Sequence, residues 1–294
     1  MKLEPECIGC LFDQILKAFK LLKPDISREI IISTQKKLMK HLIAIDSSNY
    51  PAPILGKIAY TIVAETLGEI DPYNFLKEKY NRLALQSYEE IKKVVEKSKD
   101  PLYKAILVAA LANTIDFASQ HEIDFISDIK NLKKKEFIIN DFKQFKESLD
   151  STNHLLIIGD NCGEIVFDKL LIAVIQRHFP NLKITYSVRG APIINDVTIE
   201  DAKFVGITEL VQVIESSDSP GVDINTSPEE FKKIFFKEKG VILSKGQGNF
   251  ECIHGMNIPQ KDVYYLLQAK CKLMERIFGV KIGDLIFKKK IQGY

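Results

Sequence analysis

The chain has 294 residues, 46% hydrophobic and 27% charged, which is ordinary for a folded protein with a substantial core and room for two structural units. A formal net charge of +2, with lysines interleaved among acids, offers no basic field for nucleic acid. No apolar leader and no run of about 18 apolar residues is present, and the five cysteines are an odd number; a cytoplasmic protein without a membrane span or a disulfide framework is expected.

The first 120 or so residues read as helices. One runs from Cys10 to Leu22 and stops before Pro24. Ser27 can cap a second, in which Ile30, Ile31, Leu38, Leu42 and Ile45 keep a helical period. Pro51 and Pro53 mark a connector, and a third helix from Ile54 to Leu67 ends at Gly68. Asp71-Pro72 and Asp100-Pro101 are matching helix starts, opening segments 72–97 and 101–119. In the latter, the spacing of Leu102, Ile106 and Ala109 continues through Asn113 and Asp116. Placement alone favours a helix whose apolar stripe simply ends there; the other reading turns these two polar residues towards a site built elsewhere. Residues 121–150 are lysine-rich and weakly patterned, and read as a linker with a helix over 140–149.

From residue 151 short apolar runs alternate with helical segments: strands at 154–159, 183–188, 210–214, 241–244, 263–269 and 284–288, helices at 163–178, 197–205, 228–238 and 271–278. Such alternation indicates right-handed βαβ units and a mostly parallel sheet. The expected fold is α/β: a helical N-terminal domain over 1–150 packed on a Rossmann-like αβα domain over 151–294.

In a parallel sheet the residues just after each strand share one edge, where ligands bind. The first strand delivers Asp160 and Asn161 ahead of the helix beginning at Gly163. The second delivers Arg189, Asn195 and Asp196, and the fourth runs into Ser244, Lys245 and Gly246. One helix cap needs only one of Asp160 and Asn161. Asp160, Asn161 and Asp196 are hard oxygen donors suited to Mg²⁺ or Mn²⁺. Lys245, beside Gly246 and Gly248, resembles an anion cradle. A carboxylate-bound cation, a lysine and a helix N-terminus together suit a phosphoryl oxygen polarised for attack by water. The nucleotide fingerprints G-x-G-x-x-G and G-x-x-x-x-G-K-[ST] are both missing from strand ends, so ATP is unsupported as a substrate. Cys7 and Cys10 form a single C-x-x-C, read first as two ordinary thiols and second as a weak metal or redox site with Cys271 or Cys252. The five histidines show no ligand spacing.

Taken together these residues resemble a known family, the DUF89 damage-control phosphatases with the ARMT1-like metal-binding domain. The resemblance rests on several motifs in order. They are Cys7-x-x-Cys10 with Gln14; Asn113 and Asp116; Gly159 to Glu164; Arg189 to Thr198; Glu200 to Ala202; Lys245 to Glu251; and Lys270-Cys271. The C-x-x-C is similar to the microbial branch of that family.

The resemblance implies metal-dependent hydrolysis of phosphate monoesters of small, sugar-phosphate-like or damaged metabolites. It implies a divalent cation (Mn²⁺, Ni²⁺, Co²⁺ or Mg²⁺) on Asp160, Asn161 and Asp196, and a phosphate contact from Lys245. Asn113 and Asp116 then border the cleft. Glu164, Arg189, Asn195, Asp201, Gly246 and Asn249 complete the expected substrate-binding set. A monomer or small homo-oligomer with no nucleic-acid or membrane partner is expected. Two other readings are an S-adenosylmethionine-dependent protein-carboxylate methyltransferase and a non-enzymatic metal or redox protein centred on Cys7 and Cys10.

Overall fold

Every residue of strand β2 (His154–Ile158) is buried, and its side chains divide between two cores. Leu155 and Ile157 belong to one apolar cluster and Leu156 and Ile158 to another, as the two-residue period of a strand requires when both faces are covered. This places β2 inside a sandwich. A computed structural model describes residues 1–112 and 135–291. In it β2 lies inside a seven-stranded sheet of order β1-β7-β6-β5-β2-β3-β4. The other strands are β1 (Phe137–Asn140), β3 (Lys183–Val188), β4 (Gln212–Glu215), β5 (Gly240–Lys245), β6 (Lys261–Gln268) and β7 (Leu285–Lys289).

Strands β4, β3, β2, β5 and β6 run parallel. β7 is antiparallel to β6, and β1 pairs parallel to β7, so this edge pair runs against the other five. The architecture is the expected α/β fold, a helical N-terminal region followed by a mixed, mostly parallel sheet flanked by helices. The sheet begins earlier than the sequence suggested. β1 lies in the lysine-rich stretch read as linker, and it is followed by α6 (Phe142–Asp150), whose Phe145 and Leu149 enter the core beneath the sheet.

The helical region comprises α1 (Pro5–Leu22), α2 (Arg28–Ala44), α3 (Ala52–Leu67), α4 (Asn74–Glu96) and α5 (Pro101–Ala112). Ser27 caps α2, accepting from the Ile30 N–H, and α3 ends at Gly68 in a left-handed conformation. α1, α2 and α3 share an apolar cluster of their own, whereas Ala84, Ile91 and Val95 of α4 and all of buried α5 join the core of the sheet. The apolar stretch of α5 is described as far as Ala112. Asn113 and Asp116 lie outside the described residues.

Helices α7 (Glu164–His178) and α8 (Ile199–Val205) cover the same face as α4 and α5. The opposite face carries α9 (Glu229–Lys232), α10 (Gln247–Ile253) and α11 (Lys272–Phe278). The helix read over 228–238 passes after one turn into a wider π turn at Lys233–Lys237, which seats Ile234 and Phe235 in the core. Among the described residues no helix is long and apolar enough to cross a membrane.

Candidate active site at the strand ends

The segments that follow β2 and β3 are tied to each other by their backbones. The Cys162 N–H donates to the Asn195 carbonyl at 2.8 Å, and the Val197 N–H to the Asp160 carbonyl at 2.9 Å. Asn161 and Asp196 form an isolated antiparallel bridge. Asp160, Asn161 and Asp196, about 35 positions apart in sequence, are thereby held on one rim. Between them Ile194 adopts φ 46°, a conformation a β-branched residue avoids and that persists only where the surroundings impose it. Its side chain packs against the α1–α3 cluster, so the helical region helps to fix this loop.

Neither Asp160 nor Asn161 is the residue that directly precedes α7. Gly163, the residue before α7, has φ 82° and makes no side-chain cap. Its N–H instead donates to Asn81 Oδ1 of α4 at 2.7 Å. Asn161 Nδ2 donates to Asp160 Oδ2 (2.8 Å) and Glu164 Oε1 (2.9 Å), which fixes the amide with its oxygen turned away from both carboxylates. Gly246, at φ 78°, lies so close to Asp160 that a Cβ there would sit 2.0 Å from Oδ2. Only glycine allows the β5–α10 turn to approach this carboxylate.

Behind this rim lies a buried ionic layer. Arg189 Nε donates to Asp196 Oδ2 at 2.7 Å and its Nη1 to Asn249 Oδ1 at 3.0 Å, with Nη2 3.9 Å from Asp160 Oδ1. Asn249 Nδ2 donates to the carbonyls of Gly159 and Lys245, closing the network onto the backbone of β2 and β5. Lys245 Nζ donates to Glu164 Oε2 at 2.8 Å and to Asp168 Oδ1. Burial opposes the charge of Lys245, but Asp168 and Glu164 more than offset it and hold the ammonium above its ordinary range.

Lys245 therefore does not face the cleft as the sequence suggested. Asp168, one turn beyond Glu164 on α7, claims its ammonium, and both partners are sealed from solvent. Two acids four residues apart on an otherwise apolar helix face were the sequence signal for this pair. Asp201 also turns elsewhere. It closes a capping box with Thr198 and receives Asn81 Nδ2 and Lys77 Nζ of α4, each at 3.1 Å.

The rim opens into a cavity of about 520 Å³. Asp160, Asn161, Asn195 and Asp196 form its floor; Glu164, Arg189, Lys245 and Asn249 stand behind it. The wall opposite comes from α1 and α3, through Cys7, Cys10, Gln14, Gly56 and Tyr60. The third side is the segment after β6, with Lys270 and Cys271, and the start of α10, with Gln247 and Glu251. The sequence analysis quoted Lys270, and Gln14 of α1, among the motif residues without giving either a role.

Four buried carboxylates (Asp160, Glu164, Asp168, Asp196) face two buried cations (Arg189, Lys245). Burial, then the charges of Glu164 and Asp196, pushes Asp160 up to about 7. Asp196 is also raised, burial outweighing the contact with Arg189. Among the described residues no three His, Cys, Asp or Glu side chains form a ready-made metal cage. The rim instead offers two carboxylates and an oriented amide oxygen with an excess of negative charge, a donor set that fits a hard, partly hydrated divalent cation.

Comparison with known proteins identifies the family. The family model described as the damage-control phosphatase ARMT1-like domain matches residues 3–286. A damage-control phosphatase of Archaeoglobus fulgidus is 33% identical over 98% of this chain and 99% of its own length. A damage-control phosphatase of Pyrococcus horikoshii is 31% identical over 97% of each chain. The crystal structure of a DUF89 family protein from Pyrococcus horikoshii aligns with a TM-score of 0.87 at 29% identity, covering 99% of this chain and 100% of that one. The chain belongs to the damage-control phosphatase ARMT1-like family.

Proposed function

We propose that this chain is a metal-dependent phosphatase that hydrolyses phosphate monoesters of small metabolites. The observation that carries the reading is the excess of buried carboxylates over buried cations at the strand ends, where Asp160, Asn161 and Asp196 share one rim of an open cavity. Family membership and the relatives named as damage-control phosphatases support it.

In this reading Asp160, Asn161 and Asp196 hold the cation, which when bound supplies positive charge to a phosphoryl oxygen. Mn²⁺, Ni²⁺, Co²⁺ and Mg²⁺ all suit oxygen donors of this kind. Arg189 and Asn249 keep Asp196 in place, while Glu164 orients the amide of Asn161. Lys245 is a positioning residue that keeps Glu164 and Asp168 paired. The phosphate contact passes to Lys270. This lysine lines the cavity, and its charge acts on Asp160, lowering its pKa against the effect of burial. Asn195, on the same floor, is placed to touch the ester.

The test is phosphate release from an aryl phosphate by chelator-stripped protein supplied with each cation in turn. Cation-dependent turnover is expected, falling at least 100-fold in Asp160→Ala and Asp196→Ala. Full activity in either variant, or S-adenosylmethionine binding without phosphate release, would overturn the reading.

A further inference from the structure

Among the described residues, the cavity wall facing the rim carries a buried acceptor to which no group donates. Gln14, on α1, lines the cavity, and its Oε1 is shielded from solvent with no hydrogen-bond partner among the described residues. Among the described residues its Nε2 reaches only Cys10 Sγ, at 3.8 Å. The other glutamine of the cavity is committed to protein partners. Gln247 Nε2 donates to Glu251 Oε1 and Cys271 Sγ, and its Oε1 accepts from the Lys270 N–H. A buried acceptor without a donor is costly, and where one persists at a cavity wall a ligand donor is the natural complement. Gly56 on α3 leaves room beside it, since even a Cβ there would stand 3.7 Å from Gln14 Oε1 in ordinary contact. The neighbouring groups on this wall are Cys10, Leu11, Pro53, Gly56 and Tyr60, which offer no cation.

We infer that Gln14 is a specificity-determining residue: its side-chain amide accepts a hydrogen bond from a hydroxyl on the alcohol portion of the phosphate ester. The inference rests on the phosphatase reading and deepens it. The rim holds the phosphoryl end, and the helical region across the cavity reads the leaving group, selecting alcohols that carry a second hydroxyl. An ester whose alcohol lacks that hydroxyl leaves Gln14 unpaired and gains nothing from it.

The experiment compares wild type and Gln14→Met, a variant of similar length without a polar atom, on three substrates with Mn²⁺: an aryl phosphate, a polyol phosphate that wild type turns over, and the deoxy analogues of that polyol phosphate. The expected result is a loss of about tenfold in kcat/KM, carried by KM, for the polyol phosphate in Gln14→Met. The aryl phosphate should be unaffected, which also reports that the variant is folded. One deoxy analogue should lose the same factor in wild type and nothing further in the variant, the signature of a single shared contact. An equal loss on all three substrates, or additive losses for every deoxy analogue, would overturn the inference while leaving the phosphatase reading intact. No turnover of any phosphate ester by wild type would remove that reading, and this inference with it.

Discussion

Lys245 Nζ donates to Glu164 Oε2 at 2.8 Å, and neither side chain reaches solvent. Asp168 takes a second bond from the same ammonium. Breaking such a buried pair strands the partner charges, and the cost is set by that desolvation rather than by the strength of the contact. Lys245→Met should therefore destabilise the protein by about 3–5 kcal/mol, read as a lower denaturant midpoint with an unchanged slope. Lys245→Met combined with Asp168→Leu should recover part of the loss. A single variant of wild-type stability would show that the ammonium is not the charge that balances α7.

Gly246 makes the second requirement of the rim visible. A Cβ at this position meets the carboxylate of Asp160, and the backbone is left-handed. Gly246→Ala is expected to push Asp160 off its place and to weaken divalent cation binding on the scale of 10–100-fold, the usual cost of disturbing the surroundings of a metal ligand. Global stability should fall by roughly 1–3 kcal/mol from the strained φ. Calorimetric titration with Mn²⁺ measures the first effect and thermal unfolding of the cation-free protein the second.

The rim was legible in the sequence because the apolar run of β2 stops abruptly at Gly159, Asp160 and Asn161, and because a parallel sheet puts strand ends on one edge. Asp196 followed from the same logic. The role of Lys245 was hidden because a glycine-flanked lysine after a strand looks alike whether it faces a ligand or a buried acid. Its partner Asp168 sits on a helix whose pattern was read only for its apolar residues. Lys77 and Asn81 were missed for a similar reason: they interrupt the buried face of α4, and only the tertiary fold brings them to Asp201 and Gly163. β1 escaped because four residues in a lysine-rich stretch carry almost no pattern, and their pairing with β7 joins positions far apart in the chain. The residues that α1 brings to the cavity, Cys7, Cys10 and Gln14, entered the sequence analysis only as motif residues, since nothing in an amphipathic helix states which layer it will cover.

The five thiols differ enough to be told apart chemically. Cys10 is exposed, Cys7 and Cys271 are half-buried, and Cys162 and Cys252 are sealed. Burial, then the charge of Glu251, pushes Cys7 up to about 11, so its thiolate is scarce at neutral pH. A disulfide reagent at pH 8 should label Cys10 first, with the fast phase absent in Cys10→Ser, and should reach Cys162 and Cys252 only on unfolding. Because Cys10 lines the cavity beside Gln14, a bulky label there should block phosphate release, and a small methylthio label should block it less. Equal loss with both labels would point to the thiol itself rather than to occupied space.

Asp160 links the cation to pH. In the cation-free protein its pKa is raised from an ordinary value of 3.8 to about 7, by burial first and then by Glu164 and Asp196. The folded state therefore binds this proton more tightly than the unfolded chain, so the associated stability is present at low pH and is lost as pH rises towards and through 7. Thermal midpoints of the cation-free protein should fall as pH rises from 3.8 to about 7, in contrast to a carboxylate held in a salt bridge, whose stabilising contribution is lost only as pH falls through the acid range. A divalent cation reverses the balance because it binds the ionised carboxylate and must displace the proton at lower pH. Saturating Mn²⁺ should thus raise the midpoint more at pH 8 than at pH 6, and Asp160→Asn should flatten both dependences. A cation-induced shift that is the same at both pH values would mean that Asp160 does not hold the ion.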